Sequence, residues 1–251
     1  AARADCEVTI LATNMHLSPR YGNTISEIIA DGFADPVRVD MPVSADTDSS
    51  TVEAMAVCMS GMARELTRLR PDLIVILGDR FEMLATATAA LMLRVPIVHI
   101  AGGEISEGAI DDSIRHSITK MASLHLTATE PYRRRVIAMG EAPDRVINTG
   151  AIGVYNILHE PLMTRRELEE SIDFDLTDKS ILVTYHPAPL DDEEPAVRCK
   201  ALLDALDRFE DHKVLITYPN NDPRGRIIID LIEAYAAARP GRVRVVPSLG
   251  K

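Results

Sequence analysis

Leu73-Ile-Val-Ile-Leu-Gly-Asp-Arg-Phe-Glu-Met83 is the stretch whose reading decides the fold. Its apolar residues, mostly β-branched, run straight into Gly78-Asp79, and a helical pattern takes over from about Phe81 to Leu93. A continuous apolar run is the pattern of a parallel strand buried on both faces. Ligands in open α/β sheets gather at the carboxyl ends of strands, so Asp79 and Arg80 stand where chemistry is expected. Asp79 serves equally as a cap whose carboxylate accepts N–H bonds from the helix that follows, and this stretch alone leaves the two readings even.

Outward from this stretch, strand and helix alternate. Glu7 to Ala12 and Val37 to Met41 read as strands around a helix from about Thr24 to Asp31. Ser49 or Ser50 is placed to cap a long helix that Pro71 stops near Arg70. The polar loop Thr13-Asn-Met-His-Leu-Ser-Pro-Arg-Tyr-Gly22 lies at a strand's carboxyl end, where binding residues tend to sit. Beyond Met83, Ile97 to Ile100 is a short strand ending in Ala101-Gly102-Gly103-Glu104, whose paired glycines permit a sharp turn that delivers Glu104. Ile110 to Met121 reads as a helix with Asp111 and Asp112 near its N-terminus, where the helix dipole favours negative charge. Leu124 to Ala128, a helix from Glu130 to Met139, and Val146 to Thr149 bring the count to about six strands. That spacing predicts one parallel sheet with helices on both faces.

The rhythm changes near residue 153, where a domain boundary is expected between an N-terminal unit, 1–153, and a C-terminal unit, 154–251. Thr164 is placed to cap Arg165 to Ile172. Strands then read at Ser180 to Tyr185, Lys213 to Thr217 and Val243 to Val246, with helices from about Pro195 to Phe209 and Arg224 to Ala238 between them. About three strands are few for a doubly wound domain, so this unit reads as partial.

The balance of 27 basic against 38 acidic residues gives a formal charge of -11, which disfavours nucleic acid or an anionic membrane as partner. An anionic substrate then needs a locally positive pocket. Three cysteines without C-x-x-C spacing suggest neither a disulfide framework nor a zinc site, and a reducing, cytoplasmic setting is expected. No apolar run reaches the ~18 residues that a membrane span needs, and no secretory h-region opens the chain.

Five ordered segments together carry a family resemblance: Gly78-Asp-Arg-Phe-Glu82, His99-Ile-Ala-Gly-Gly-Glu104, Glu107-Gly-Ala-Ile-Asp-Asp-Ser-Ile-Arg-His116, Thr184-Tyr-His-Pro187 and Tyr218-Pro-Asn-Asn-Asp222. They resemble the UDP-N-acetylglucosamine 2-epimerase family. The Asp-Arg-Phe-Glu and Asp-Asp-Ser-Ile-Arg-His forms, with Met15-His-Leu-Ser-Pro19, are similar to its hydrolysing branch, which makes N-acetylmannosamine for sialic and related nonulosonic acids. Nearly all of the chain is covered. The family pattern also has a first strand with a Gly-Thr-Arg loop before Ala1 and a Gly-Asn-Ser-Ser segment after Lys251, so this chain resembles the middle of a longer enzyme. Some relatives carry glutamate where Ala101 stands here, which leaves Glu104 as the acid of that turn.

The resemblance implies a glycosyltransferase-B-like α/β fold, two Rossmann-like parallel-sheet domains facing a cleft, and a homodimer. It also implies a reaction. The C2 proton leaves as UDP departs from C1, giving a 2-acetamidoglucal; water then adds at C1 and a proton returns to C2 on the other face. That sequence needs at least two acid/base groups, for which Asp79, Glu104 and Asp111 are the candidates. His186 resembles the histidine that contacts the diphosphate and Arg115 an arginine near the sugar, with Arg80, Asp112 and Asn220 as further substrate-binding candidates. No cofactor or metal is called for. UDP-N-acetylglucosamine is the expected substrate; the alternatives are a GDP-linked or modified amino sugar, the non-hydrolysing reaction, or an inactive nucleotide-sugar binding module.

Plainer readings cover the other polar residues. His99, inside a strand, and His125, between Leu124 and Leu126, read mainly as satisfied core histidines. Asp112 and His116 share a helix face and suit a hydrogen bond better than a metal. Arg133-Arg-Arg135 and Asp191-Asp-Glu-Glu194 read as solvated charge. Asn220, Asn221 and Asp222 suit a turn or the base and ribose side of a nucleotide equally.

Overall fold

The computed structural model describes residues 6–33, 35–42, 47–187, 193–221 and 224–249. Near the N-terminus β1 (Leu11–Thr13) and β2 (Val37–Val39) pair around α1 (Ile25–Ala30), with the Val37 N–H donating to the Ile10 carbonyl at 2.8 Å. The long α2 (Asp48–Leu69) begins one residue before Ser49. Thr47 is its cap, since the Thr47 hydroxyl oxygen accepts from the Ser50 N–H at 3.3 Å, so neither Ser49 nor Ser50 plays that part.

The deciding stretch folds as β3 (Ile74–Leu77) followed by α3 (Phe81–Met92). After it come β4 (Ile97–Ile100), α4 (Asp111–Met121), β5 (Leu124–Thr127), α5 (Glu130–Ala138), β6 (Val146–Asn148) and α6 (Ile152–His159). These strands form a parallel sheet in the order β3-β4-β5-β6, in which His99 and His125 face each other as ladder partners. Two expectations are corrected here. The six strands make two sheets, because β/α alternation specifies parallel pairing without specifying which strands are neighbours. Among the described residues β3 is an edge strand covered on one face only: Ile76 is buried, whereas Leu73, Val75 and Leu77 are about half exposed. An unbroken apolar run cannot say which face a neighbour covers.

The chain divides into two compact units, the first holding 39–41 and 52–162 and the second the rest of the described residues. In the second, α7 (Arg165–Ile172) opens with the expected Thr164 cap, closed as a capping box by Glu167. A parallel sheet follows in the order β7 (Ser180–Thr184), β8 (Lys213–Thr217) and β9 (Val243–Val246), with α8 (Pro195–Leu206) and α9 (Gly225–Ala237) between them. Cys199 and Leu203 of α8, Val214 and Ile216 of β8, and Ile228 and Ile232 of α9 share its core. The α/β class with parallel sheets is thus as expected. Among the described residues no helix is long and apolar enough to cross a membrane.

Asp207 locks this core from its rim. Its carboxylate accepts from the Tyr235 hydroxyl at 2.8 Å, from Arg239 Nε at 2.7 Å and from Arg242 Nη1 at 3.2 Å, joining the end of α8 to α9 and to the start of β9. Those donors, Arg239 first, hold the carboxyl down at about 2. A depressed folded pKa stabilises above the unfolded value, near 4, and that stability is lost as the pH falls through 2. Asp207→Asn should therefore lower the unfolding midpoint near neutral pH by about 2–4 °C, the size of a partly solvated pair. Thermal scans across pH should show the gap between variant and parent closing toward pH 2; a gap that does not close would overturn the assignment.

Candidate active site

Sharp turns end the strands of the first unit's sheet. Gly78 (φ +78°) follows β3 and Ala101 (φ +65°) follows β4, both in the left-handed region. For alanine that conformation costs about 1–2 kcal/mol, so the surroundings must hold it. The Ala101 N–H donates to the Leu126 carbonyl at 2.9 Å, tying the turn to β5. Gly103 (φ +82°) leaves no room for a side chain, because a Cβ would sit 2.5 Å from the Tyr132 carbonyl oxygen of α5. Arg135 of α5 donates to the Gly103 carbonyl. Helix α5 therefore clamps the turn that presents Glu104, and burial pushes that half-buried carboxyl above its ordinary range.

Arg115 is the centre of the polar cluster. Its side chain is only 3% exposed, and Nη1 donates to Asp112 Oδ1 at 2.7 Å. Nη2 donates to Ser106 Oγ at 2.9 Å and to Asp79 Oδ2. The Ser106 N–H also donates to Asp112 Oδ1, at 2.7 Å. A buried guanidinium needs such partners, since burial alone works against its charge and pulls its pKa down. Two carboxylates on one cation make the cluster net negative while keeping it hydrogen-bonded.

Of the sequence candidates, Asp79, Asp112 and Arg115 are directly joined. Asp79 is not the cap of α3: the residue at that position is Arg80, and no side chain makes the capping bond. Arg80 pairs with the buried Glu82, its Nε donating to Oε1 at 2.8 Å. Asp111 opens α4, half-buried, next to Asp112. Ser106 was not foreseen; the one signal was its place in the loop between Glu104 and Asp111.

Two plainer readings are also corrected. Asp112 bonds Arg115 rather than His116, because both share its helix face and only the guanidinium is also reached by Asp79. Arg133 and Arg135 are not solvated charges: Arg133 Nε donates to the Val146 carbonyl at 2.8 Å and Arg135 to Gly103, while Arg134 is exposed. His125 Nε2 donates to Glu141 Oε2 at 3.2 Å, and its buried Nδ1 has no hydrogen-bond partner among the described residues, so it is only half satisfied.

His186 and Asn220 belong to the second unit, beyond the ends of β7 and β8. The Asn220 N–H donates to His186 Nδ1 at 3.3 Å. A neutral imidazole that accepts at Nδ1 carries its proton on Nε2, which is left as a donor suited to an anionic oxygen. Beside them Asn221 Nδ2 donates to Asn14 Oδ1 at 2.6 Å, tying this turn to the loop after β1. Asp222, Asp191 and Asp192 lie outside the described residues. Among the described residues no group of three or more His, Cys, Asp or Glu side chains is arranged to hold a metal ion.

Comparison with known proteins places the geometry in a family. The family model described as UDP-N-acetylglucosamine 2-epimerase matches residues 1–251. A Campylobacter jejuni protein named GDP/UDP-N,N'-diacetylbacillosamine 2-epimerase (hydrolyzing) is 34% identical over 98% of this chain and 64% of its own length. Polysialic acid biosynthesis protein P7 of Escherichia coli is 35% identical over 90% of this chain and 57% of its own. The chain thus spans less than two thirds of the length of these relatives. Among solved structures, UDP-GlcNAc 2-epimerase of Methanocaldococcus jannaschii in complex with UDP-GlcNAc and UDP superposes with a TM-score of 0.72 at 14% identity, covering 97% of this chain and 66% of that one. The Rickettsia bellii UDP-N-acetylglucosamine 2-epimerase gives 0.68 at 16% identity, covering 95% and 61%. These likenesses fix the fold class as glycosyltransferase-B-like.

The turn geometry separates two glycines that sequence treats alike. Gly103→Ala adds a clash with the Tyr132 carbonyl to the strain of a left-handed alanine, whereas an alanine at Gly78 meets nothing within 4 Å. Urea unfolding should therefore show a loss of about 3 kcal/mol or more for Gly103→Ala against about 1–2 kcal/mol for Gly78→Ala. Equal losses would mean that α5 does not clamp the Glu104 turn.

Proposed function

We propose that this chain, which belongs to the UDP-N-acetylglucosamine 2-epimerase family, carries catalytic groups of a hydrolysing nucleotide-sugar 2-epimerase. The observation that carries the reading is the pairing of two unlike kinds of carboxylate in one unit. Asp79 and Asp112 share the buried Arg115 guanidinium as ion-pair partners. Glu104, pushed upward by burial, is suited to hold and return a proton.

An elimination–addition needs both. A carboxylate takes the C2 proton as the C1–oxygen bond breaks and the nucleoside diphosphate leaves with its electron pair. Water then adds at C1 of the glucal and a carboxylic acid returns a proton to C2 from the other face. Asp79, Glu104 and Asp111 are the acid/base candidates, Arg80, Arg115 and Asp112 orient the sugar, and His186 with Asn220 meets the diphosphate or nucleoside. The Nε2 donor of His186 matches charge that builds on the leaving oxygen.

UDP-N-acetylglucosamine is the first substrate of this reading, with UDP and N-acetylmannosamine as products. A second substrate, a UDP- or GDP-linked N,N'-diacetylbacillosamine, is favoured by the name of the Campylobacter jejuni relative. The reading includes a cytoplasmic homodimer without cofactor, and a domain boundary near residue 153.

Proton NMR in D2O tests it. Incubation with UDP-N-acetylglucosamine should release UDP and N-acetylmannosamine deuterated at C2; UDP-N-acetylmannosamine would place the protein in the non-hydrolysing branch. Release from the diacetylbacillosamine nucleotide alone would select the second substrate. Asp79→Asn and Glu104→Gln should each lower turnover by about 10²–10⁴-fold with little change in volume. Near-parental turnover would remove that residue from the acid/base pair.

A further inference from the structure

Three of the groups named above hang on a histidine that the proposed chemistry does not use. His99 is fully buried in the middle of β4. Its Nε2 lies 2.8 Å from the Gly78 carbonyl, the residue before Asp79. A carbonyl only accepts, so Nε2 carries the proton and donates. Its Nδ1, the acceptor left over, lies 3.2 Å from the Thr119 hydroxyl. Thr119 sits one helical turn after Arg115, and its single hydroxyl proton serves either His99 Nδ1 or the Arg115 carbonyl, 2.9 Å from its oxygen. The third neighbour is the turn at Gly102, two residues before Glu104, packed so closely that a Cβ there would lie 3.2 Å from His99 Nδ1 and 3.1 Å from Thr119 Oγ1.

One imidazole therefore touches the end of β3, the turn after β4 and the body of α4. Those are the segments that carry Asp79, Glu104 and Arg115. Burial, with His125 and His116 nearby, holds His99 down at about 4, so at neutral pH it is a fixed neutral tautomer rather than a titrating base. A hydrocarbon in its place would leave the Gly78 carbonyl without its side-chain donor and let the β3 turn shift relative to α4.

We propose that His99 is a positioning residue that sets Asp79 and the Glu104 turn against Arg115. The catalytic arm of its test rests on the epimerase reading; the stability arm does not. His99 is bonded to the Gly78 carbonyl and not to the Asp79 side chain, so if it only fills space, His99→Phe and Asp79→Asn should act additively on unfolding. If it positions Asp79 on Arg115, Asp79→Asn should cost far less once His99 is gone.

Urea unfolding of the full chain, its two single variants and the double variant should give a coupling factor in the unfolding equilibrium constant on the order of tenfold. The control pair Ile118→Val and Asp79→Asn, with Ile118 buried on the same helix, should be additive. If His99→Phe does not fold, Thr119→Val in the same cycle makes the same prediction. In D2O turnover, His99→Phe should lower kcat by about 10²-fold with KM nearly unchanged, and His99→Gln, whose amide N–H can reach the Gly78 carbonyl, should recover part of it. Additivity within about twofold would overturn the proposal, as would a Gln variant no better than Phe. Should the parent turn over no nucleotide sugar, the epimerase reading falls and the coupling factor alone decides for or against His99.

Discussion

A buried guanidinium must be compensated, and that requirement shapes the first unit more than any other single interaction. Arg115 sits inside its fold with almost no exposure, where an uncompensated charge would be worth several kcal/mol of destabilisation. The chain answers from three places: Asp79 after β3, Ser106 from the loop that follows the Glu104 turn, and Asp112 from the helix that carries Arg115 itself. Ser106 then ties back to Asp112 through its backbone N–H, so the loop is held at two points. The same demand explains why Asp79 does not cap α3. A carboxylate facing a guanidinium gains a bond in which both partners are charged, whereas only the acceptor is charged in a bond to a helix N–H.

The elements around this cluster were largely legible in the sequence. β4, β5 and α4 follow from short apolar runs and from apolar spacing near 3.6, and Thr164 was recognisable as a cap because capping is local chemistry. Sheet membership and strand faces were not legible, since both depend on neighbours far away in sequence. Leu73, Val75 and Leu77 are apolar whether or not anything covers them. At the site, Asp79, Glu104 and Arg115 stood out by motif, but a separation of 36 positions between Asp79 and Arg115 hides their bond. Arg135 was misread for the same reason, because a basic run on a helix says nothing about a carbonyl 32 residues earlier.

Left-handed backbone presents the candidate groups. Gly78, Ala101 and Gly103 are all left-handed, each within three residues of Asp79 or Glu104. Ala101 lacks the freedom of glycine and holds its conformation through the bond from its N–H to Leu126, so the parallel ladder between β4 and β5 extends one step past the strand and into the turn. Such positions persist only when the surroundings over-determine them. Here the surroundings are α5 pressing on Gly103, the β5 carbonyl accepting from Ala101, and His99 bonded to Gly78.

This arrangement makes precision at the site a property of the sheet rather than of the loops. Asp79 and Glu104 are each one or a few residues beyond a strand end, and the ladder fixes those ends to within the length of a hydrogen bond. Geometry of that quality matters for proton transfer, where displacement of a carboxylate by about 1 Å can cost on the order of 10²-fold in rate. Loop residues such as Ser106 gain the same precision only by bonding to the core cation. A buried histidine and a buried arginine therefore do complementary work: one fixes the backbone that carries the carboxylates, the other fixes the carboxylates themselves. Neither has to react for the proposed reaction to depend on both.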